Sequence, residues 1–255
     1  MSLTIEAIEA FVDNYIWAAR DARHCVLVDP GDAAGPLRYL DDHGLELTGI
    51  LLTHHHADHT GGVDEIRARH PAPVWGPSDV RMPADIRVVG EPDRVELEPP
   101  ALSFRVIETP GHTRSHIAFY GDGILFCGDT LFSAGCGRLF EGDAQQMQRS
   151  LDKLAALPDD TRVFCAHEYS QANCRFARQV EPDNASLRER CERVDALRSA
   201  GRITLPTRLS DEKAFNPFLR TREPAVIAAA QRRQPGVGAE PAEVFGAIRA
   251  WKDAG

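Results

Sequence analysis

Apolar residues in the first two-thirds of the chain come in short runs separated by turn-forming residues, a pattern of strands rather than long helices. The runs predict strands at Thr4–Ile8, Ile16–Ala18, Cys25–Val28, Ile50–Leu52, Phe104–Glu108, Ile117–Tyr120, Ile124–Cys127 and Val163–Cys165. Asp29-Pro30-Gly31 stops one of them, because proline cannot donate to a ladder and glycine permits the turn. Between the strands, Pro36–His43, Val63–His70 and Gln145–Ala156 read as helices. Many short strands with interposed helices predict an α/β layered domain whose sheet surface is covered by helix.

After His167 the texture changes. Asn173–Gln179, Ser186–Ala200, Pro224–Arg232 and Ala242–Lys252 read as helices, punctuated by Pro206, Pro217 and Pro235. A boundary near residue 170 is therefore expected, with a domain over 1–170 and a smaller helical one over 171–255. No internal repeat or low-complexity tract interrupts this plan.

The chain has 255 residues, 43% of them hydrophobic and 26% charged, enough for a core without disulfides or a structural metal. Any metal it binds is then suspected of chemistry. The net charge of −9 provides no broad electrostatic footprint for nucleic acid or an anionic membrane. An anionic substrate would have to be met by a few basic residues placed locally. The six cysteines contain no CxxC pair and several sit in apolar runs, so buried, reduced thiols of a cytoplasmic protein are expected. The first residues, MSLTIEAIEAF, carry no basic segment, so no secretory signal is expected. No apolar stretch approaches the ~20 residues of a membrane span.

Candidate chemistry concentrates in Thr53-His54-His55-His56-Ala57-Asp58-His59, which follows the apolar run Gly49–Leu52 and precedes Thr60-Gly61-Gly62. Side chains leaving a strand end can converge on one point, and imidazole and carboxylate are ligands that zinc, iron and manganese accept. A His-rich tag would be a terminal homopolymer; this segment is internal and interrupted by aspartate. Three further strand ends carry ligand-type residues: Thr109-Pro110-Gly111-His112, Gly128-Asp129-Thr130 and Ala166-His167-Glu168. Singly, each reads as a turn or cap. Four such ends in one domain favour a shared site. His55, between two candidate ligands, should point away from it by alternation; His24, His43 and His70 read as solvated. His116 is a candidate for orienting a ligand.

The order HxHxDH, a later His, an Asp and a final His resembles the metallo-β-lactamase superfamily. The resemblance implies an αβ/βα sandwich with a two-metal site at one edge of the sheets. It further implies that His54, His56 and His112 hold one ion, that Asp58, His59 and His167 hold a second, and that Asp129 bridges them. Two divalent ions are expected, zinc first, with iron or manganese as alternatives. Coordination lowers the pKa of water from ~15.7 towards ~7, so a bridging hydroxide, held through Asp58 and Asp129, would be the nucleophile. No GxSxG or Cys/His arrangement competes with it, and Gly135-Cys136-Gly137 reads as a tight turn with a packed thiol. A thiolate whose parent pKa is near ~8.5 departs without a general acid, so a thioester suits such a site. Lactones and phosphodiesters are also cleaved on this fold, and fold alone does not choose the substrate.

THHHADHTGG at Thr53–Gly62, GCGRLFEG at Gly135–Gly142, AHEY at Ala166–Tyr169, FNPFLR at Phe215–Arg220 and the ending AIRAWKD narrow the resemblance to the glyoxalase II family, over essentially the whole chain. That family cleaves S-D-lactoylglutathione to D-lactate and glutathione, the second step of methylglyoxal detoxification. By resemblance, Arg138, Phe140, Tyr169, Arg249 and Lys252 occupy the positions that hold the glutathione moiety. The cations among them supply the local positive charge that the chain as a whole lacks. Arg249 and Lys252 are three apart, so one helical face can present both. Two residues depart from the family pattern. Arg138 replaces the usual Lys, and Phe140 stands where many members have Tyr, removing a hydrogen bond worth roughly 0.5–1.5 kcal/mol. The competing readings are a superfamily relative, such as a one-iron persulfide dioxygenase or a broad thioesterase or lactonase, and a metal-binding protein without catalysis. Nothing in the sequence demands more than a monomer.

Overall fold

A computed structural model describes residues 3–255. The described chain forms two compact units, one comprising residues 3–108 with Ser115–Gly128, the other Thr109–Arg114 with Asp129–Gly255.

In the first unit, β1 (Thr4–Ala10), β2 (Asn14–Arg20), β3 (His24–Val28), β4 (Glu46–Leu51), β5 (Val74–Gly76) and β6 (Arg87–Val88) form a sheet in chain order. The first three strands pair antiparallel and the rest parallel. Parallel pairing requires crossovers: α1 (Ala34–His43) links β3 to β4, α2 (Ala57–Thr60) and α3 (Val63–Arg69) lie between β4 and β5, and a helix-free segment joins β5 to β6. Leu37 and Leu40 of α1 and Val63 and Ile66 of α3 share one core cluster with Ile16, Leu27 and Ile50 of the strands. This burial against the helices anchors the loop that follows β4. The same unit contains the antiparallel meander β7 (Arg94–Leu97), β8 (Leu102–Glu108), β9 (Ile117–Gly121) and β10 (Ile124–Gly128). Asp122 and Gly123 close β9 on β10 with φ of 50° and 70°, the conformation of a two-residue hairpin turn.

The second unit has the hairpin β11 (Leu131–Phe132) and β12 (Gly135–Cys136), then α4 (Ala144–Ala155), entered through a capping box of Asp143 and Gln146. β13 (Arg162–Cys165) pairs antiparallel with β14 (Thr207–Arg208). Helices α5 (Ser170–Val180), α6 (Ala185–Ser199), α7 (Leu209–Phe215), α8 (Pro224–Arg233) and α9 (Pro241–Asp253) complete it, the last two with proline in the first turn. Buried Asn216, in the segment after α7, donates to the carbonyls of Phe132 and Gly135, both at 3.0 Å, and so fixes the β11–β12 hairpin.

The expected strands and helices are present with ends displaced by a few residues. The pattern did not reveal α2, α7 or the short strands β5, β6, β7, β11, β12 and β14. Strands of two to four residues and the four-residue α2 carry too little hydrophobic pattern to be read, and α7, at seven residues, spans under two helical turns. All six cysteines are free and buried.

Candidate metal centre

The first unit positions its ligand candidates through one buried carboxylate. Asp29, at the end of β3, accepts the Thr53 N–H (2.8 Å) on Oδ1, and on Oδ2 the Thr53 hydroxyl (2.7 Å) and His59 Nδ1 (3.1 Å). A carboxylate only accepts, so the His59 proton sits on Nδ1 and its Nε2 presents a lone pair. That Nε2 lies 3.5 Å from Asp58 Oδ2, while His54 Nε2 and His56 Nδ1 approach to 3.1 Å. Ligand atoms of Asp29, His54 and His59 lie within 4.8 Å of one another. Gly31 lets the turn after β3 lie against this loop, since a Cβ there would sit 1.8 Å from the Asp58 carbonyl oxygen.

His55 faces Asp79 (Nδ1–Oδ2 3.6 Å). Hydrogen bonds from Arg81 above all, and from Ser115, hold the Asp79 carboxyl well below the usual carboxylate range. His116 is buried and stacks on His54 with ring centroids 4.8 Å apart. Gly128, at φ 46°, leaves room for this stack, because a Cβ would stand 2.8 Å from His116 Nε2.

The second unit holds His112, Asp129 and His167, all buried. His112 Nδ1 donates to the Arg138 carbonyl at 2.9 Å, which leaves its Nε2 as a lone pair facing Asp129 Oδ2 at 3.3 Å. His167 Nε2 faces the other oxygen, Asp129 Oδ1, also at 3.3 Å. A lone pair opposite a carboxylate oxygen is repulsive unless a cation or proton lies between them. With metal–ligand bonds of about 2.0–2.2 Å, 3.3 Å is a natural edge of a tetrahedral ligand set. The donor set fits divalent metal, and Asp129 offers one oxygen to each of two imidazoles. Aromatic rings wall these imidazoles: Phe140 meets His112 edge-on at 5.2 Å, and Tyr169 stacks on His167 at 4.7 Å.

The same unit gathers the three cations singled out in the sequence around the end of α9. Buried Arg249 donates to the Cys136 carbonyl at 3.0 Å and grips Asp253 through Nη2 (2.8 Å) and Nε (3.3 Å). Arg138, largely exposed, stands 3.5 Å from the same Asp253 carboxylate. Lys252 donates to Asn173 Oδ1, and its ammonium lies 5.9 Å from the Phe176 and Phe218 rings. Burial first, and then the neighbouring Arg249 charge, push the Lys252 ammonium down to about 8.

Sequence reasoning missed Asn14, Asp29, Thr53, Asn173 and Asp253. In the sequence Asp29 reads only as a strand stop. Asp253 carried a usable signal, since it stands four residues after Arg249 on one helix, the spacing of an ion pair. Asn14 and Asn173 carried none, because an amide beside a turn or within a helix reads as part of that element.

The family model of the metallo-beta-lactamase superfamily matches residues 11–167, and that of the hydroxyacylglutathione hydrolase C-terminus matches residues 168–255. A hydroxyacylglutathione hydrolase of Alkalilimnicola ehrlichii is 53% identical over 251 residues, covering 98% of both chains. The chain belongs to the hydroxyacylglutathione hydrolase family. Another family member, from Cupriavidus taiwanensis, is 54% identical over 263 residues, covering 98% of each chain. The expected family is thus the one found, and the fold is the metallo-β-lactamase fold with a helical C-terminal region. Among solved structures, ETHE1 from Myxococcus xanthus aligns over 100% of both chains with a TM-score of 0.65 and 25% identity. The B3 metallo-beta-lactamase BLEG-1 covers 86% of this chain and 99% of its own at a TM-score of 0.63 and 23% identity, a likeness of fold alone. Among the described residues, no helix is long and apolar enough to cross a membrane.

Proposed function

We propose that this chain hydrolyses S-D-lactoylglutathione to D-lactate and glutathione at a centre of two divalent ions, zinc in the first instance. His54, His56 and His112 hold one ion, Asp58, His59 and His167 the other, and Asp129 ligates both. The carrying observation is Asp129, each of whose carboxylate oxygens faces a different imidazole at 3.3 Å. When bound, the ions supply an activated water near neutral pH and polarise the thioester carbonyl. The chain's own residues do the rest. Asp29 and the Arg138 carbonyl fix the tautomers of His59 and His112, so that both imidazoles offer lone pairs without reorganisation. Asp58 and Asp129 would orient that water, and the rings of Phe140 and Tyr169 lie against His112 and His167.

Arg138, Arg249 and Lys252 form the anion-binding face for the glutathione carboxylates, with Lys252 and Arg138 presenting charge and Arg249 anchoring the end of α9. Residues 1–170 carry the chemistry in this reading and 171–255 most of the recognition. The relatives' shared name, hydroxyacylglutathione hydrolase, supports this substrate class over a persulfide or a lactone. Six free thiols suit a reducing cytoplasm. The test is thiol release from S-D-lactoylglutathione by zinc-loaded protein, alongside oxygen uptake by iron-loaded protein with glutathione persulfide. Rapid thiol release without oxygen uptake is expected; oxygen uptake without thiol release contradicts the reading.

A further inference from the structure

The hairpin between β1 and β2 turns through Phe11–Asp13, with Ala10 paired to Asn14 as its last rung. Its tip is unusual in two ways. Phe11 adopts φ 51°, a left-handed conformation that a bulky residue rarely takes, and Phe11 and Val12 are exposed. Asn14 directly beneath them is buried. Its side-chain amide points to α2, where Nδ2 lies 3.1 Å from Asp58 Oδ2 and 3.3 Å from the Asp58 backbone carbonyl. An amide nitrogen carries two hydrogens, so one group can serve both acceptors. It therefore grips side chain and main chain of one residue together, which fixes the Asp58 rotamer. On the main-chain side Asp58 lies against Gly31, where no larger residue fits. Helix α2 has four residues, too short to orient a side chain by its own hydrogen bonding.

We infer that Asn14 is a positioning residue for the second metal ion, acting by aiming the Asp58 carboxylate at it. The inference rests on the two-ion reading above. Asn14 touches neither the ion nor the substrate. By donating to Oδ2 it keeps the half-exposed carboxylate from swinging into solvent, and it does so with a neutral group that adds no charge to the site. Asp58 is the carboxylate that separates the second ligand set from the all-imidazole first one. Asn14 should therefore act on the second ion selectively. Loss of a hydrogen bond that orients a metal ligand typically lowers metal affinity about ten- to hundredfold.

The experiment is stepwise titration of metal-free protein with zinc against a competing chelator, for wild type, Asn14→Leu and Asn14→Ala, with thermal unfolding of each metal-free protein. Leucine conserves the buried volume and removes the donor; alanine tests whether any loss comes from packing. The expected result is a second-ion affinity lowered about ten- to hundredfold in both variants, with the first-ion affinity and the metal-free Tm of Asn14→Leu close to wild type. Two results overturn the inference: an unchanged ratio of first to second affinity, or a fall in both constants that tracks a fall in Tm. Wild type that takes up only one ion would instead defeat the two-ion reading, so the two failures are distinguishable.

Discussion

The loop after β4 and the C-terminal end of α9 solve opposite problems with similar means. In the loop, four candidate ligands fall within six consecutive residues, and neighbours inside the first unit fix the protonation of His59 and the aim of Asp58. At the end of α9, cations separated by more than a hundred residues are collected around Asp253 and Asn173, and one of them is held far from its ordinary titration range. The loop is a site set by local chain geometry, whereas the cationic face exists only through tertiary packing. Changes in the loop should therefore alter metal content and turnover, and changes on the cationic face should alter substrate affinity.

The largest effect is expected from Asp58→Ala. Metal content should fall from about two ions per chain to about one, and kcat/KM by about a thousandfold, as expected when several kcal/mol of charge stabilisation is lost. Metal analysis and steady-state kinetics on the same preparation check it, and full metal content in the variant would break the assignment. Lys252→Ala comes next. It removes a charge-assisted contact and should raise KM for the glutathione thioester about ten- to hundredfold with metal content unchanged.

The pH dependence sharpens that expectation. A Lys252 ammonium with its pKa lowered to about 8 is charged below pH 8 and neutral above it in the free protein. A substrate carboxylate stabilises the charged form, so binding takes up a proton above pH 8, and KM should rise with pH there while kcat does not. A KM profile flat to pH 9.5, or one whose inflection survives in Lys252→Ala, would separate Lys252 from substrate binding. The smallest change is Phe140→Tyr, which restores one hydroxyl and should lower KM by a few-fold to tenfold. An unchanged KM would leave Phe140 as a wall against His112 and nothing more.

This contrast also explains what could be read from the sequence. The candidate metal ligands stand out in the sequence because strand ends impose their spacing, as the His54–His59 segment after an apolar run illustrates. The cations Arg249 and Lys252 became visible only through family motifs, since a surface-type residue has no local signature of function. The residues that orient the others stayed hidden. Asp29 reaches Thr53 and His59 across 24 and 30 residues, and Asn14 reaches Asp58 across 44. No periodicity encodes such contacts. The main strands and helices were readable from pattern, while β11, β12 and β14 were not, because two-residue strands are defined by partners rather than by their own composition.

The central claim is that thioester hydrolysis depends on both ions. Its most direct test adds zinc in steps to metal-free protein and measures hydrolysis of S-D-lactoylglutathione at each step. Activity that climbs until about two equivalents per chain are bound is the predicted result. Full activity at one equivalent, or none at two, would contradict it.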